Sequence, residues 1–214
     1  MNFIGRMVSK IARKATSAVM GSDVSQELNT AQGAREAFPG MSELCRRAAA
    51  EGCVLLKNEG ALPLTGEKPV AVFGRCQIDT FYMGYGSGGD VHPPYTVNIL
   101  EGLERNGANL YRPLAERYRA WTAEKENAAD PGFWAHWPQS HPEMPLAPQL
   151  LESAAKECGT AVAVIGRAAG ESFDLSPDQG GYLLTDAERE MLVSLCERFE
   201  KTVLVLNIGN LIDL

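Results

Sequence analysis

Short apolar runs alternate with amphipathic segments along most of the chain. ELCRRAAAE is the body of a helix that Ser42 can cap and that ends near Gly52. CVLLKN follows, a compact apolar run that predicts a buried strand. Pro63 and Gly66 mark the next turn. PVAVFG (69–74) is a β-branched run closing on glycine, as at the carboxyl end of a parallel strand. Thr96 opens a helix to about Arg105, and Asn106-Gly107 stops it. ANLYRP is a candidate strand, and a polar helix is expected over 113–128. A helix from Ala147 to Cys158 leads into TAVAVIG (160–166), a second strand ending in glycine. Thr185 and Glu188 form a capping box for a helix over 186–199. TVLVLNIGN (202–210) is a third strand.

This order predicts an α/β fold, a three-layer α/β/α sandwich around a mostly parallel sheet. Such sheets carry their ligand loops at the carboxyl ends of the strands. Three segments occupy that position: Gly74–Pro94, Gly166–Leu184 and Asn207–Leu214. The first two are long, which is where function concentrates. The similar runs AVFGR and AVIGR need no internal repeat, because parallel strands produce them anyway.

Composition narrows the class. The chain has 214 residues, 45% hydrophobic and 22% charged, a globular profile with room for one core. A net charge of −7 argues against nucleic acid as a partner. No run of 18 apolar residues exists, so no membrane span is expected. The five cysteines (45, 53, 76, 158 and 196) include no CxxC pair, and there are three histidines. Zinc-type spacing is therefore absent, and no metal or cofactor is expected. Unpaired cysteines of this kind read as reduced, buried thiols in a reducing compartment, hence a cytoplasmic location. Residues 1–20 carry Arg6, Lys10, Arg13 and Lys14 and no acid, leaving −11 on the rest. They read as a short basic amphipathic helix, either an interfacial anchor or, as the commoner case, a helix on the protein's own surface or a frayed terminus. Residues 21–40 are linker-like, so the expected division is an extension over 1–40 and a domain over 41–214.

Three features carry candidate chemistry. GYGSGGD (84–90) invites a phosphate-cradle reading, but lacks GxGxxG spacing and GK[ST]. It also lies about ten residues after its strand, too far for a dinucleotide turn. GRAAGESFDLSPDQGGYLLT (166–185) places Glu171 and Asp174 just after a strand. A carboxyl at a cleft rim can protonate a leaving oxygen, although paired loop acids are more often solvated surface. Trp134 and Trp137, with His136 and His141, lie in a segment holding five prolines (131, 138, 142, 145 and 148). The tryptophans either stack on a sugar or pin the loop to the body, and pinning is the commoner role.

Read together, several blocks resemble one family. They are AAAEGCVLLKNEGALPL (48–64), VAVFGR (70–75), GYGSGGDV (84–91), ILEGL (99–103), VAVIGRAAGE (162–171), GGYLLTDAERE (180–190) and VLVLNIGNLIDL (203–214). Their sequence and order resemble the α/β-sandwich domain of glycoside hydrolase family 3, the family of β-glucosidases and β-xylosidases. The likeness covers about 41–214 except 113–150. It implies a retaining, exo-acting hydrolase of O-glycosyl bonds acting on a β-glycoside. In that family a (β/α)8 barrel supplies an Asp nucleophile, and a Glu in a GE motif is the acid/base. Gly170-Glu171 matches that motif, so the resemblance assigns Glu171 as the catalytic acid/base. It implies substrate contacts for Asp174 and for Tyr85, Ser87 and Asp90 of the Gly-rich loop. An Arg often follows the acid at the position of Asp174; Leu175 stands here. Sandwich motifs this early resemble members with reversed domain order. The resemblance then implies a partial sandwich whose barrel lies outside these residues, and a chain inactive by itself. A non-catalytic carbohydrate-binding or interaction module of the same fold, and a nucleotide-binding α/β protein, are the alternatives.

Overall fold

A computed structural model describes residues 39–85, 93, 95–130, 137–171 and 174–214. The expectations for 1–20, for most of the Gly-rich loop and for Trp134 and His136 lie outside the described residues. The chain divides into two compact units, Met1–Glu59 and Gly60–Leu214.

In the first unit, helix α1 spans Met41–Glu51. Its N-cap is Gly40 (φ 81°) rather than the expected Ser42, and no side chain caps it. Glu43 and Arg46 pair one turn apart at 2.8 Å. The run 53–58 is not a strand: it is irregular, with Val54, Leu55 and Leu56 at 77%, 65% and 79% exposure. An apolar run supplies the side chains of a strand, but a strand also needs a neighbour for its backbone, which periodicity cannot reveal.

In the second unit, three parallel strands lie in the order β1-β2-β3: β1 (Val70–Phe73), β2 (Thr160–Arg167) and β3 (Lys201–Ile208). Val70 pairs with Thr160, and Thr160 with Lys201, so the strands start level. Beyond β1, the expected ANLYRP strand shrinks to one bridge, Leu110 to Val70. Between the strands come α2 (Ile99–Arg105), α3 (Arg112–Ala123) and α4 (Pro148–Glu157), and α5 (Asp186–Arg198) precedes β3. Asn98 caps α2 by accepting the Glu101 N–H at 2.8 Å, so the helix starts later than Thr96. The capping box on α5 forms as the sequence predicts, between Thr185 and Glu188.

Every residue of β1 is buried, as continuous apolar strands of a covered parallel sheet should be. Alternation sends Ala71, Phe73, Ala161, Ala163 and Ile165 to one face. There they meet Leu114, Tyr118 and Trp121 of α3, Leu151 and Ala154 of α4, and Met191 and Leu195 of α5. Val70, Val72, Val162 and Val164 face the other way, with Leu100 of α2 and Ala115 of α3. Helices thus cover both faces of the sheet, the expected α/β architecture. Of the five thiols, Cys76 and Cys158 are buried, while Cys45, Cys53 and Cys196 are exposed; the expectation of buried cysteines fails for these three. Cys45 and Cys53 sit on and just after the exposed helix α1, and Cys196 lies on the outer side of α5.

Candidate active site

The carboxyl ends of the strands are built on two buried arginines. β1 passes into Gly74, whose φ of 93° suits glycine and whose added Cβ would lie 2.2 Å from the Val164 carbonyl oxygen. Only a residue without a side chain lets β1 turn here so close to β2. The turn delivers Arg75 into the interior at 3% exposure. Its Nε donates to Asp79 Oδ2 at 2.6 Å, Nη1 to the Pro142 carbonyl at 3.0 Å, and Nη2 to the Asn127 carbonyl. The guanidinium also lies 5.1 Å from the centroid of the Trp121 ring. One side chain therefore ties the first loop to the Pro-rich segment.

Glu143 of that segment accepts the Arg75 N–H at 2.7 Å and the Met144 N–H at 2.7 Å. Burial pushes its carboxyl up to about 7, against the pull of these donors. Tyr118, fully buried, accepts the Gly74 N–H at 2.9 Å, and burial raises its pKa well above the ordinary phenol value. His141 stacks on Phe81 with centroids 5.2 Å apart. Its Nδ1 is buried with no hydrogen-bond partner, and burial lowers its pKa. A lone ring with no nearby ligand set is no metal site, and the described residues hold no cluster of His, Cys, Asp and Glu suited to a metal.

β2 ends on Arg167, at 1% exposure. Nη1 and Nη2 form a fork on Glu188, each at 2.7 Å. Nε donates to the Gly181 carbonyl at 2.7 Å, and the remaining donors reach the Gly166 and Leu183 carbonyls. Glu188 also accepts the Thr185 N–H at 2.8 Å. The end of β2, the 180–183 turn and the start of α5 thus converge on one ion pair. At the end of β3, Asn207 accepts the Phe81 N–H and donates to the Phe81 carbonyl, at 2.8 and 3.1 Å.

On this base stands Glu171. It is exposed, four residues beyond the buried Arg167. Its N–H donates to the Tyr85 carbonyl at 2.9 Å, and the Tyr85 N–H donates to the Ala169 carbonyl at 3.0 Å. Tyr85 therefore brackets Gly170, where an added Cβ would meet the Tyr85 Cβ at 2.9 Å. The glycine of the GE pair is required by this close approach. The Tyr85 ring stacks on Trp137 with centroids 5.4 Å apart and planes 14° from parallel. Trp137 thus does what the pinning reading expects. It also lines an open cleft of about 690 Å³, together with Asp174 and Gln179.

Two sequence-assigned positions, Glu171 and Tyr85, are brought into direct contact, and Asp174 lies on the wall of the adjoining cleft. Ser87 and Asp90 lie outside the described residues. Sequence reasoning missed Gln139, whose amide joins Asp174 and Ser176. It also missed the roles of Arg75 and Arg167, although AVFGR and AVIGR both end on them. An arginine closing an apolar strand was the available signal.

This geometry has known counterparts. Residues 53–214 match the glycosyl hydrolase family 3 C-terminal domain. A β-glucosidase of Ruminococcus albus is 42% identical over 165 residues, covering 77% of this chain and 17% of that protein. β-Glucosidase A of Butyrivibrio fibrisolvens is 30% identical over 197 residues, covering 80% and 23%. Among solved structures, a β-glucosidase of Paenibacillus barengoltzii superposes with a TM-score of 0.79 at 42% identity, over 84% of this chain and 20% of that one. β-Glucosidase 3B of Thermotoga neapolitana, solved with α-D-glucose, gives 0.72 at 32% identity, over 84% and 26%. The chain spans about a fifth of the length of the relatives it matches. It belongs to glycosyl hydrolase family 3 and holds that family's C-terminal-type α/β domain.

Proposed function

We propose that this chain is the acid/base-bearing part of a retaining, exo-acting β-glucosidase, with Glu171 as the acid/base. The observation that carries the reading is the Tyr85 bracket: it presents Glu171 at the solvent-open carboxyl end of β2, beside a cleft walled by Trp137 and Asp174. A retaining hydrolase needs two carboxyls about 5–5.5 Å apart across the anomeric centre. Asp174 stands three residues from Glu171 on the same loop. A group there approaches the sugar from the acid/base side, so it serves substrate contact and not nucleophilic attack. The nucleophile then comes from a (β/α)8 barrel outside these residues, and the 214-residue chain alone is inactive.

In that reaction the Glu171 carboxyl gives its proton to the departing glycosidic oxygen. The resulting carboxylate then takes a proton from the water that cleaves the glycosyl-enzyme. Tyr85, Asp174 and the Gly-rich loop residues Ser87 and Asp90 border the sugar. The residues over 41–214 form the sandwich domain, with 1–40 as an extension of it. Five free cysteines fit a cytoplasmic location.

The test is Glu171→Ala in the enzyme formed by this chain with its barrel. Activity on alkyl glucosides and disaccharides is expected to fall about 10²–10⁴-fold, as removal of a general acid does. Dinitrophenyl glucoside, whose leaving group needs no proton, keeps its glycosylation rate, and azide restores deglycosylation. Equal losses on all substrates would overturn the assignment.

A further inference from the structure

The loop that carries Glu171 is held on two sides, and only one of them belongs to the bracket described above. Tyr85 takes the near limb, at Ala169 and Glu171. The other hold comes from Gln139, in the Pro-rich segment, which the family match over 53–214 includes although the sequence blocks that carry the resemblance leave it out. Its main-chain carbonyl accepts the Ala168 N–H at 2.8 Å, at the exit of β2. Its side chain spans the far limb: Nε2 donates to the Asp174 carbonyl at 2.9 Å, and Oε1 accepts the Ser176 N–H at 3.1 Å. One residue thus joins the start of the loop to its end.

The surroundings are shaped around that amide. An added Cβ at Gly181 would run into the Ser176 carbonyl oxygen and would lie 2.7 Å from Gln139 Oε1, so the glycine leaves room for both the chain at Ser176 and the amide. Its neighbour Gly180 does the same for Ser140, where a Cβ would lie 2.7 Å from the hydroxyl oxygen. The Gly181 carbonyl is itself fixed by the buried Arg167 Nε at 2.7 Å. Gln139 is also only partly buried, so its amide bonds are not needed to close the core.

We propose that Gln139 is a positioning residue for Glu171: by closing the loop between Ala168 and Ser176, it fixes where the acid/base carboxyl stands relative to the leaving oxygen. This rests on the reading of Glu171 as acid/base. Proton transfer needs hydrogen-bond reach, and a displacement of about 1 Å can cost on the order of 10²-fold.

Gln139→Met keeps the length and loses both side-chain bonds, while the main-chain bond to Ala168 stays. In the enzyme formed with the barrel, kcat/KM for alkyl glucosides is expected to fall about 10–100-fold. For dinitrophenyl glucoside it stays within about 2-fold, because that leaving group needs no proton. Gln139→Asn, which keeps an amide but cannot span both partners, is the second variant and serves where Gln139→Met does not fold. Its losses follow the same order. Equal losses on both substrates mean a merely structural role and overturn the proposal, as does no loss on either. Glu171→Ala, measured beside them, separates the two readings. If it shows no leaving-group dependence, the acid/base assignment fails. If it shows that dependence and neither Gln139 variant does, only the positioning role fails.

Discussion

Two buried arginines stand at the ends of neighbouring strands, and their surroundings differ in one respect. Around Arg167 the charges are matched: both Glu188 oxygens face guanidinium nitrogens, and the other donors end on carbonyls. Around Arg75 a second carboxyl is present without a cation of its own. The guanidinium takes Asp79, so Glu143 is left with main-chain N–H groups and the Tyr118 hydroxyl. Burial then lifts Glu143 to about 7. The β2 anchor is a fixed ion pair, whereas the β1 anchor contains a group that titrates near neutrality.

The largest effect separating the two is expected at Arg167. Arg167→Met leaves Glu188 buried without its partner and should cost about 3–5 kcal/mol in urea unfolding. Adding Glu188→Leu should recover much of that loss, since the stranded charge is gone. A double variant no more stable than Arg167→Met would mean the arginine acts through the carbonyls it holds.

Next comes the titration at Glu143. A raised carboxyl means the folded chain binds the proton more tightly than the unfolded one. The associated stability is complete below about pH 4.5 and is lost as pH rises through about 7. The loss should be on the order of 2 kcal/mol, because partial exposure screens some of the shift. His141, with its lowered pKa, works in the opposite sense, losing stability as pH falls below about 6.5. The useful quantity is therefore the difference between the parent chain and Glu143→Gln across pH 4–8. A constant difference would contradict the titration.

The smallest effect belongs to Tyr118→Phe. It removes the acceptor of the Gly74 N–H and a donor to Glu143 while keeping the ring in the core. About 1–2 kcal/mol should be lost, with more of the loss above pH 7, where the ionised carboxyl misses its donor. A pH-independent loss would show that the hydroxyl serves Gly74 alone.

Much of the fold was legible because its signals are local. Continuous apolar strands closing on glycine placed β1 and β2 to within a residue or two, and Thr185 with Glu188 marked the start of α5. The failures needed information from elsewhere in the chain. CVLLKN has the composition of a strand but no partner among the described strands, and ANLYRP keeps a single bridge because only Leu110 reaches Val70. Around the strand ends, the place of Glu171 just after a strand was legible, and its proposed role rests on the two-residue GE motif. Gln139 was not, since its partners lie 35 and 37 residues away and glutamine carries no chemical signature of its own.

The bracket between Tyr85 and Gly170 has a consequence for inheritance. The two segments are 85 residues apart in sequence, yet each supplies a backbone hydrogen bond to the other, and Gly170 leaves just enough room for the Tyr85 Cβ. A recombinant that takes the Gly-rich loop from one relative and the loop after β2 from another must match both at this junction. Productive crossover points therefore fall before Phe81, which Asn207 also grips, or after Ser176. Loop grafting between relatives has to move the whole stretch as one block.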